Sequence, residues 1–108
     1  MGVTKIENYS TEQNDLAVLT KAIGHPARIA ILEHLLSINS CICGDLVAEL
    51  PLSQATVSQH LKALKEAKLI KGNIEGTSVC YCIDSKSWKQ AQNQLNQLFD
   101  AYHDPNCC

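Results

Sequence analysis

Residues 52–70, LSQATVSQHLKALKEAKLI, constrain this chain more than any other segment, because at helical spacing they split into two faces that want different solvents. Val57, Leu61 and Leu64 fall on one stripe that has to be buried, while Gln54, Thr56, Ser58, Gln59, Lys62 and Lys65 are left outside. Amide and hydroxyl side chains bond to base edges and phosphate oxygens, and lysines neutralise the backbone. Such an outward face suits the major groove of double-stranded DNA.

The flanking residues extend the pattern. Residues 44–50, GDLVAEL, form a short apolar-periodic segment that Pro51 stops, and Ser53 offers the next helix an N-cap. A short helix, a tight turn and a polar helix make a helix-turn-helix. Two runs of strand-forming residues follow, at about 69–74 and 79–83, and Gly76 between them can supply the positive φ of a hairpin turn. Upstream, apolar spacing predicts a helix over 11–23, capped by Ser10 or Thr11 and ended by Gly24. It predicts another from Pro26 to about residue 38. A last helix is expected over 86–102. The fold class is therefore mainly α with a small β-hairpin wing, a winged helix-turn-helix in the order α-α-α-α-β-β-α.

At 108 residues the chain is read as one domain over 11–102, with a loose arm at 1–10 and a cysteine-bearing tail at 103–108. A core of this size is often completed by a second subunit. In the last helix Trp88, Ala91, Leu95, Leu98 and Tyr102 recur at alternating steps of three and four, a narrow seam that favours packing against a twin. A homodimer would meet a pseudo-palindromic operator with half-sites about 34 Å apart. The net charge of −2 looks unfavourable for DNA, but its distribution is not. Between residues 51 and 72, Lys62, Lys65, Lys68 and Lys71 stand against Glu66 alone, a local balance of +3 that leaves −5 for the rest. The polar N-terminus has no apolar signal region and no run is long enough to span a bilayer, so a cytoplasmic protein without a membrane partner is expected.

Gly44-Asp45-Leu46, Ser53-Gln54, Val57-Ser58-Gln59-His60-Leu61, Leu64 and the wing resemble the ArsR/SmtB family of small metal-responsive repressors, over most of the chain from about Leu19 to the end of the last helix. The resemblance implies a homodimer, joined through first and last helices, that leaves its operator when a metal or metalloid binds. It adds Leu16 and Leu19 to the expected dimer interface. The DNA contacts expected from the helix face and this motif are Ser53, Gln54, Thr56, Ser58, Gln59, His60 and Lys62, with Lys65 and Lys71 on phosphates. No cofactor is required for that contact.

Six cysteines occur as three pairs, Cys41-Ile42-Cys43, Cys80-Tyr81-Cys82 and Cys107-Cys108. In a reducing compartment they read as thiols, metal ligands or redox sensors rather than structural disulfides. Soft thiolates select arsenite, antimonite, cadmium, zinc or copper(I). Cys41 and Cys43 lie just before or at the start of the short helix, and an extended segment would put both sulfurs on one side. The family's metal sensors commonly hold a Cys-x-Cys pair in this region, which makes these two the first choice for As(III) or Sb(III). The pair sits one residue earlier than in the arsenic-sensing pattern, with Gly44 at the second cysteine's place and Val47 at the third's. A third sulfur is then expected from Cys107 or Cys108. Cys80 and Cys82 are secondary candidates, read as a semi-exposed pair opposite a bulky, core-facing Val79, Tyr81 and Ile83. Asp84 followed by Ser85, Lys86 and Trp88 departs from the family's interhelical zinc pattern. A redox-responsive repressor and a cadmium, zinc or copper(I) sensor are the alternatives. Without a Cys-x-x-Cys in a strand-to-helix context, and with no base placed beside a thiol, the chain does not read as an enzyme.

Overall fold

In the computed structural model the chain runs α1 (Thr11–Ile23), α2 (Pro26–Ile38), β1 (Ile42–Cys43), α3 (Gln54–Glu66), β2 (Ile70–Glu75), β3 (Ser78–Ile83) and α4 (Ser85–Asp100). Residues 8–43, 52–75 and 78–104 are described. The short helix expected over 44–50, the hairpin apex at Gly76 and the tail cysteines Cys107 and Cys108 lie outside the described residues.

Local chemistry sets the helix ends. Ser10 caps α1 in a reciprocal box: its Oγ accepts from the Gln13 N–H at 3.1 Å, and the Gln13 side chain accepts from the Ser10 N–H at 3.0 Å. Pro26 opens α2, where its missing N–H costs nothing, and Asn39 closes it in the left-handed region at φ 50°. Ser53 caps α3 by accepting from the Thr56 N–H at 3.3 Å. At the other end of α3 the Leu69 N–H donates to the Leu64 carbonyl and the Lys68 N–H to the Lys65 carbonyl, which is a Schellman closure. Lys68 holds the left-handed position of that closure at φ 64°, where glycine is the usual residue. Leu64 and Leu69 are both buried, the apolar contact that accompanies such an ending.

The core lies between α1, α2, α3 and one face of the sheet. Leu19, Ile31, Leu32, Leu35, Val57, Leu61, Leu64, Leu69 and Ile70 form one buried cluster, with Ile42, Tyr81, Ile83, Trp88, Ala91 and Leu95 packed against it. The expected inward stripe of the recognition helix is thus inside. Among the described residues the sheet has three strands in the order β1-β3-β2, all antiparallel, and not the two of a bare hairpin. β1 pairs Ile42 with Tyr81 and Cys43 with Cys80. β2 pairs Lys71 with Cys82 and Gly72 with Tyr81.

This third strand corrects the reading of the wing cysteines. Cys80 is 2 % exposed and Cys82 6 %, whereas Val79, expected in the core, is 40 % exposed. β3 is the middle strand, so side chains on its thiol face are shielded from both sides, while Val79 lies towards the hairpin end. The face carrying Tyr81 and Ile83 does meet the core, as expected.

The seam on α4 divides. Trp88, Ala91 and Leu95 lean on the protein's own core, as do Leu16 and the buried Leu19 of α1. Leu98, Phe99 and Tyr102 are exposed at the C-terminal end of the helix. An apolar cavity of about 410 Å³ opens between α1, α2 and α4, walled by Leu19, Ile23, Ile29, Leu36, Trp88 and Leu95 among others. Among the described residues no helix is long and apolar enough to cross a membrane.

The left-handed Lys68 gives a direct test of this account. Replacing it by glycine removes the Cβ strain and should stabilise the fold by about 1 kcal/mol. The expected result is a higher urea midpoint with an unchanged m-value.

Candidate nucleic-acid interface and its cysteine cluster

Burial of Val57, Leu61 and Leu64 turns the opposite side of α3 to solvent. Ser53, Gln54, Ser58, Gln59, Lys62 and Lys65 are exposed, and Thr56 is half-buried. The Ser53 and Thr56 hydroxyls lie 2.8 Å apart, so each is partly committed to the helix cap. Lys71 is exposed on β2. Lys65 reaches towards the wing: a Cβ placed on Gly72 would stand 3.5 Å from its Nζ and 3.4 Å from the Tyr81 ring. Lys65 thus lies over the Gly72–Tyr81 face of β2, while Lys71 leaves the strand on the opposite face.

His60 is the exception among the expected DNA contacts, and its assignment is corrected here. Its side chain is turned inward and is 8 % exposed. Arg28 Nε donates to His60 Nδ1 at 3.0 Å, and the same guanidinium donates from Nη1 to the Ala22 carbonyl at 3.1 Å. The His25 ring sits 4.5 Å from the His60 ring, while His25 Nδ1 accepts from the Ala27 N–H as the cap of α2. These contacts latch the recognition helix to the end of α1 and the start of α2. Burial, then the neighbouring His25 and Arg28, hold the His60 imidazole below its ordinary pKa of 6.5. A neutral Nδ1 is what can accept from a guanidinium. Sequence reasoning missed Arg28, because its partner is 32 residues away and nothing in the local pattern marks the pair.

The cysteines expected to act separately are brought together. Cys41 and Cys82 are joined by a disulfide, their Cα atoms 4.3 Å apart and 41 residues apart in sequence. Cys80 is also disulfide-bonded, and its Cα partner across the β1–β3 ladder is Cys43. The two Cys-x-Cys motifs thus face each other in antiparallel register. Cys41, Cys80 and Cys82 are therefore disulfide-bonded in this structure, and the link between Cys41 and Cys82 depends on the pairing of β1 with β3. Of residues 41–43, Ile42 and Cys43 form a strand, and Cys41 directly precedes it. Among the described residues no group of three or more His, Cys, Asp or Glu is gathered as a metal site. A cavity of about 380 Å³ flanks the disulfide, with Lys71, Asn73, Asn39 and Ser40 in its wall.

The model of the bacterial regulatory protein arsR family matches residues 25–71, from the cap of α2 through α3 to the start of the wing. The HTH-type transcriptional regulator MJ1325 of Methanocaldococcus jannaschii is 39% identical over 83 residues, 76% of this chain and 92% of that protein. The transcriptional repressor PagR of Bacillus anthracis is 36% identical over 94 residues, 87% of this chain and 92% of its own. The structure of HlyU from Vibrio cholerae is similar at a TM-score of 0.66 and 30% identity, covering 84% of this chain and 98% of that one.

The latch makes stability depend on pH in a defined direction. Because the folded His60 has a lowered pKa, the unfolded chain takes up a proton that the folded chain does not. Its stabilising contribution is full above pH 6.5 and is lost as pH falls below that value, by up to about 1.4 kcal/mol per pH unit. Urea unfolding at pH 7.5 and 5.5 should show this loss. In His60→Asn, whose Oδ1 accepts from Arg28 without titrating, the difference between the two pH values should shrink. An undiminished difference would assign the pH dependence to other groups.

Proposed function

The chain belongs to the ArsR family of bacterial regulatory proteins, and on that premise we propose that it is a dimeric DNA-binding repressor. In this reading it leaves its operator when a thiophilic ion, As(III) or Sb(III), engages its cysteine thiolates. The observation that carries the DNA-binding half is the exposed amide, hydroxyl and lysine face of α3, held out by a buried apolar stripe, with Lys71 exposed on the neighbouring wing strand. Gln54, Ser58 and Gln59 have the donors and acceptors to read base edges. Ser53, Thr56, Lys62, Lys65 and Lys71 serve phosphates and register. Repression needs only occupancy of the operator. Among the relatives PagR is named a repressor and the HlyU of Vibrio cholerae an activator.

The exposed apolar end of α4, Leu98, Phe99 and Tyr102, supports the dimer, because a second copy would remove it from water. Two copies of α3 would then read a pseudo-palindrome.

The donor set fits a soft ion. Cys41 directly precedes the strand that holds Cys43, and Cys82 stands against Cys41 close enough to bond it. In the reduced protein Cys82 supplies the third sulfur that a trigonal metalloid takes, so the tail thiols Cys107 and Cys108 need not. Such an ion, when bound, adds bonds between the sulfurs. The chain's own part is to transmit their altered spacing from β1 and β3 into the helix-turn-helix that follows β1.

The expected coupling is about 1 to 3 kcal/mol, which weakens operator binding roughly 5- to 150-fold. Fluorescence anisotropy of reduced protein on the DNA upstream of its own coding sequence should show that loss at stoichiometric arsenite. The double substitution Cys41→Ser with Cys43→Ser should retain operator binding and no longer respond. Release from the double variant at the wild-type arsenite concentration would remove these cysteines from the site. Gln59→Ala should cost about 1 to 3 kcal/mol on the operator and little on random DNA. Equal losses on both would end its base-reading role.

A further inference from the structure

DNA binding leaves unexplained the cavity of about 380 Å³ beside the wing, which has the Cys41–Cys82 bond in its wall. The two sulfurs differ in access. Cys41 is exposed, whereas Cys82 is buried on the central strand. Lys71 is the Cα partner of Cys82 on β2, so both side chains leave the sheet on the same face. Among the described residues lining this cavity, Lys71 alone is charged, and the amides of Asn39 and Asn73 add donors for an anion, while the Ser40 hydroxyl donates to the Cys41 carbonyl at 3.1 Å. The result is an open cleft with one ammonium, neutral donors, an accessible sulfur and a shielded one behind it.

We propose that this cleft is a docking site for a small anionic disulfide, which oxidises the reduced Cys41/Cys82 pair by thiol–disulfide exchange and so ties β1 to the wing. The Cys41 thiolate attacks one sulfur of RS–SR. That S–S bond breaks, RS⁻ departs, and a mixed disulfide on Cys41 remains. Cys82 then attacks the Cys41 sulfur, forms the bond seen in the structure and expels the second RS⁻. The protons of the two protein thiols end on the two departing thiolates. The protein loses two electrons, and RS–SR is reduced to two RSH. Exposure makes Cys41 the entering sulfur and Cys82 the resolving one. Excess small thiol runs the steps in reverse.

The tie has a place to act. β1 is two residues long and is held by its pairing to β3. The residues after it are those the sequence marks as the first helix of the helix-turn-helix. Closing the bond fixes Cys41, just ahead of β1, to the strand carrying Cys82, and opening it removes that tie. The regulatory half rests on the DNA-binding reading above, while the exchange itself does not.

The test uses the full chain, reduced and then desalted, with oxidised glutathione as the anionic probe and cystamine as the cationic one. Peptide mapping should find Cys41 linked to Cys82 after oxidised glutathione. At low salt the link should form roughly fivefold faster than with cystamine, the effect of one nearby charge, and high salt should remove the difference. Cys82→Ser should accumulate the glutathione adduct on Cys41. Equal or faster reaction with cystamine, or linkage of Cys41 to another cysteine, overturns the site. Operator affinity that differs between oxidised and reduced protein supports the regulatory half, and equal affinity overturns it. Absence of DNA binding in both forms would count against the repressor reading, with the peptide mapping still deciding the exchange.

Discussion

The rest of the structure depends on where one helix face goes. Val57, Leu61 and Leu64 lie in the same buried cluster as Ile31 and Leu35 of α2, and a helix with one stripe inside has no freedom left about its axis. Gln54, Ser58, Gln59 and Lys62 point to water because the stripe does not. The outward face of α3 is thus a consequence of core packing. Truncating Leu64, which is fully buried, would cost the core about 2 to 5 kcal/mol and would also loosen the aim of every side chain on the opposite face.

The same helix is held at a second point by polar chemistry. Arg28 bridges the Ala22 carbonyl at the end of α1 and His60 on α3, and the tilted His25 ring packs against the imidazole from the cap of α2. Packing alone tolerates small slides of one helix over another. A directional bond between a guanidinium and a neutral imidazole does not, because a buried donor without its acceptor costs about 1 to 3 kcal/mol. The apolar stripe sets the rotation of α3, and the latch sets its position along α2.

The sheet decides the thiol chemistry. A two-stranded wing would leave Cys80 and Cys82 half open to solvent. With β1 added, β3 becomes central, the two thiols are buried, and Cys41 comes within bonding distance of Cys82. The cysteine pairs expected to chelate separately become opposite sides of one ladder, with Lys71 alongside. Any effector of these sulfurs, ion or oxidant, acts where the helix-turn-helix and the wing are joined.

Much of this was legible in residues 11–38 and 53–83 read as a string. Period 3.6 at Val57, Leu61 and Leu64, the caps Ser10 and Ser53, Pro26 at a helix start and alternation through Tyr81 and Ile83 are local signals, and local backbone and solvation energetics determined the helices, the hairpin and the two faces of α3. The inward turn of His60 was also legible, since it stands three residues after Val57 and four before Leu64, but two features were not: the Arg28 partnership and the register of Cys41 with Cys82. Each joins residues more than 30 positions apart. Nothing near Arg28 marks a partner on another helix, and β1 is too short to carry a periodicity. The sequence by itself determined which surfaces must be hidden and which left in water. Only the tertiary structure decided which distant side chains share a site, because that follows from how the hidden surfaces pack and not from any preference of the residues themselves.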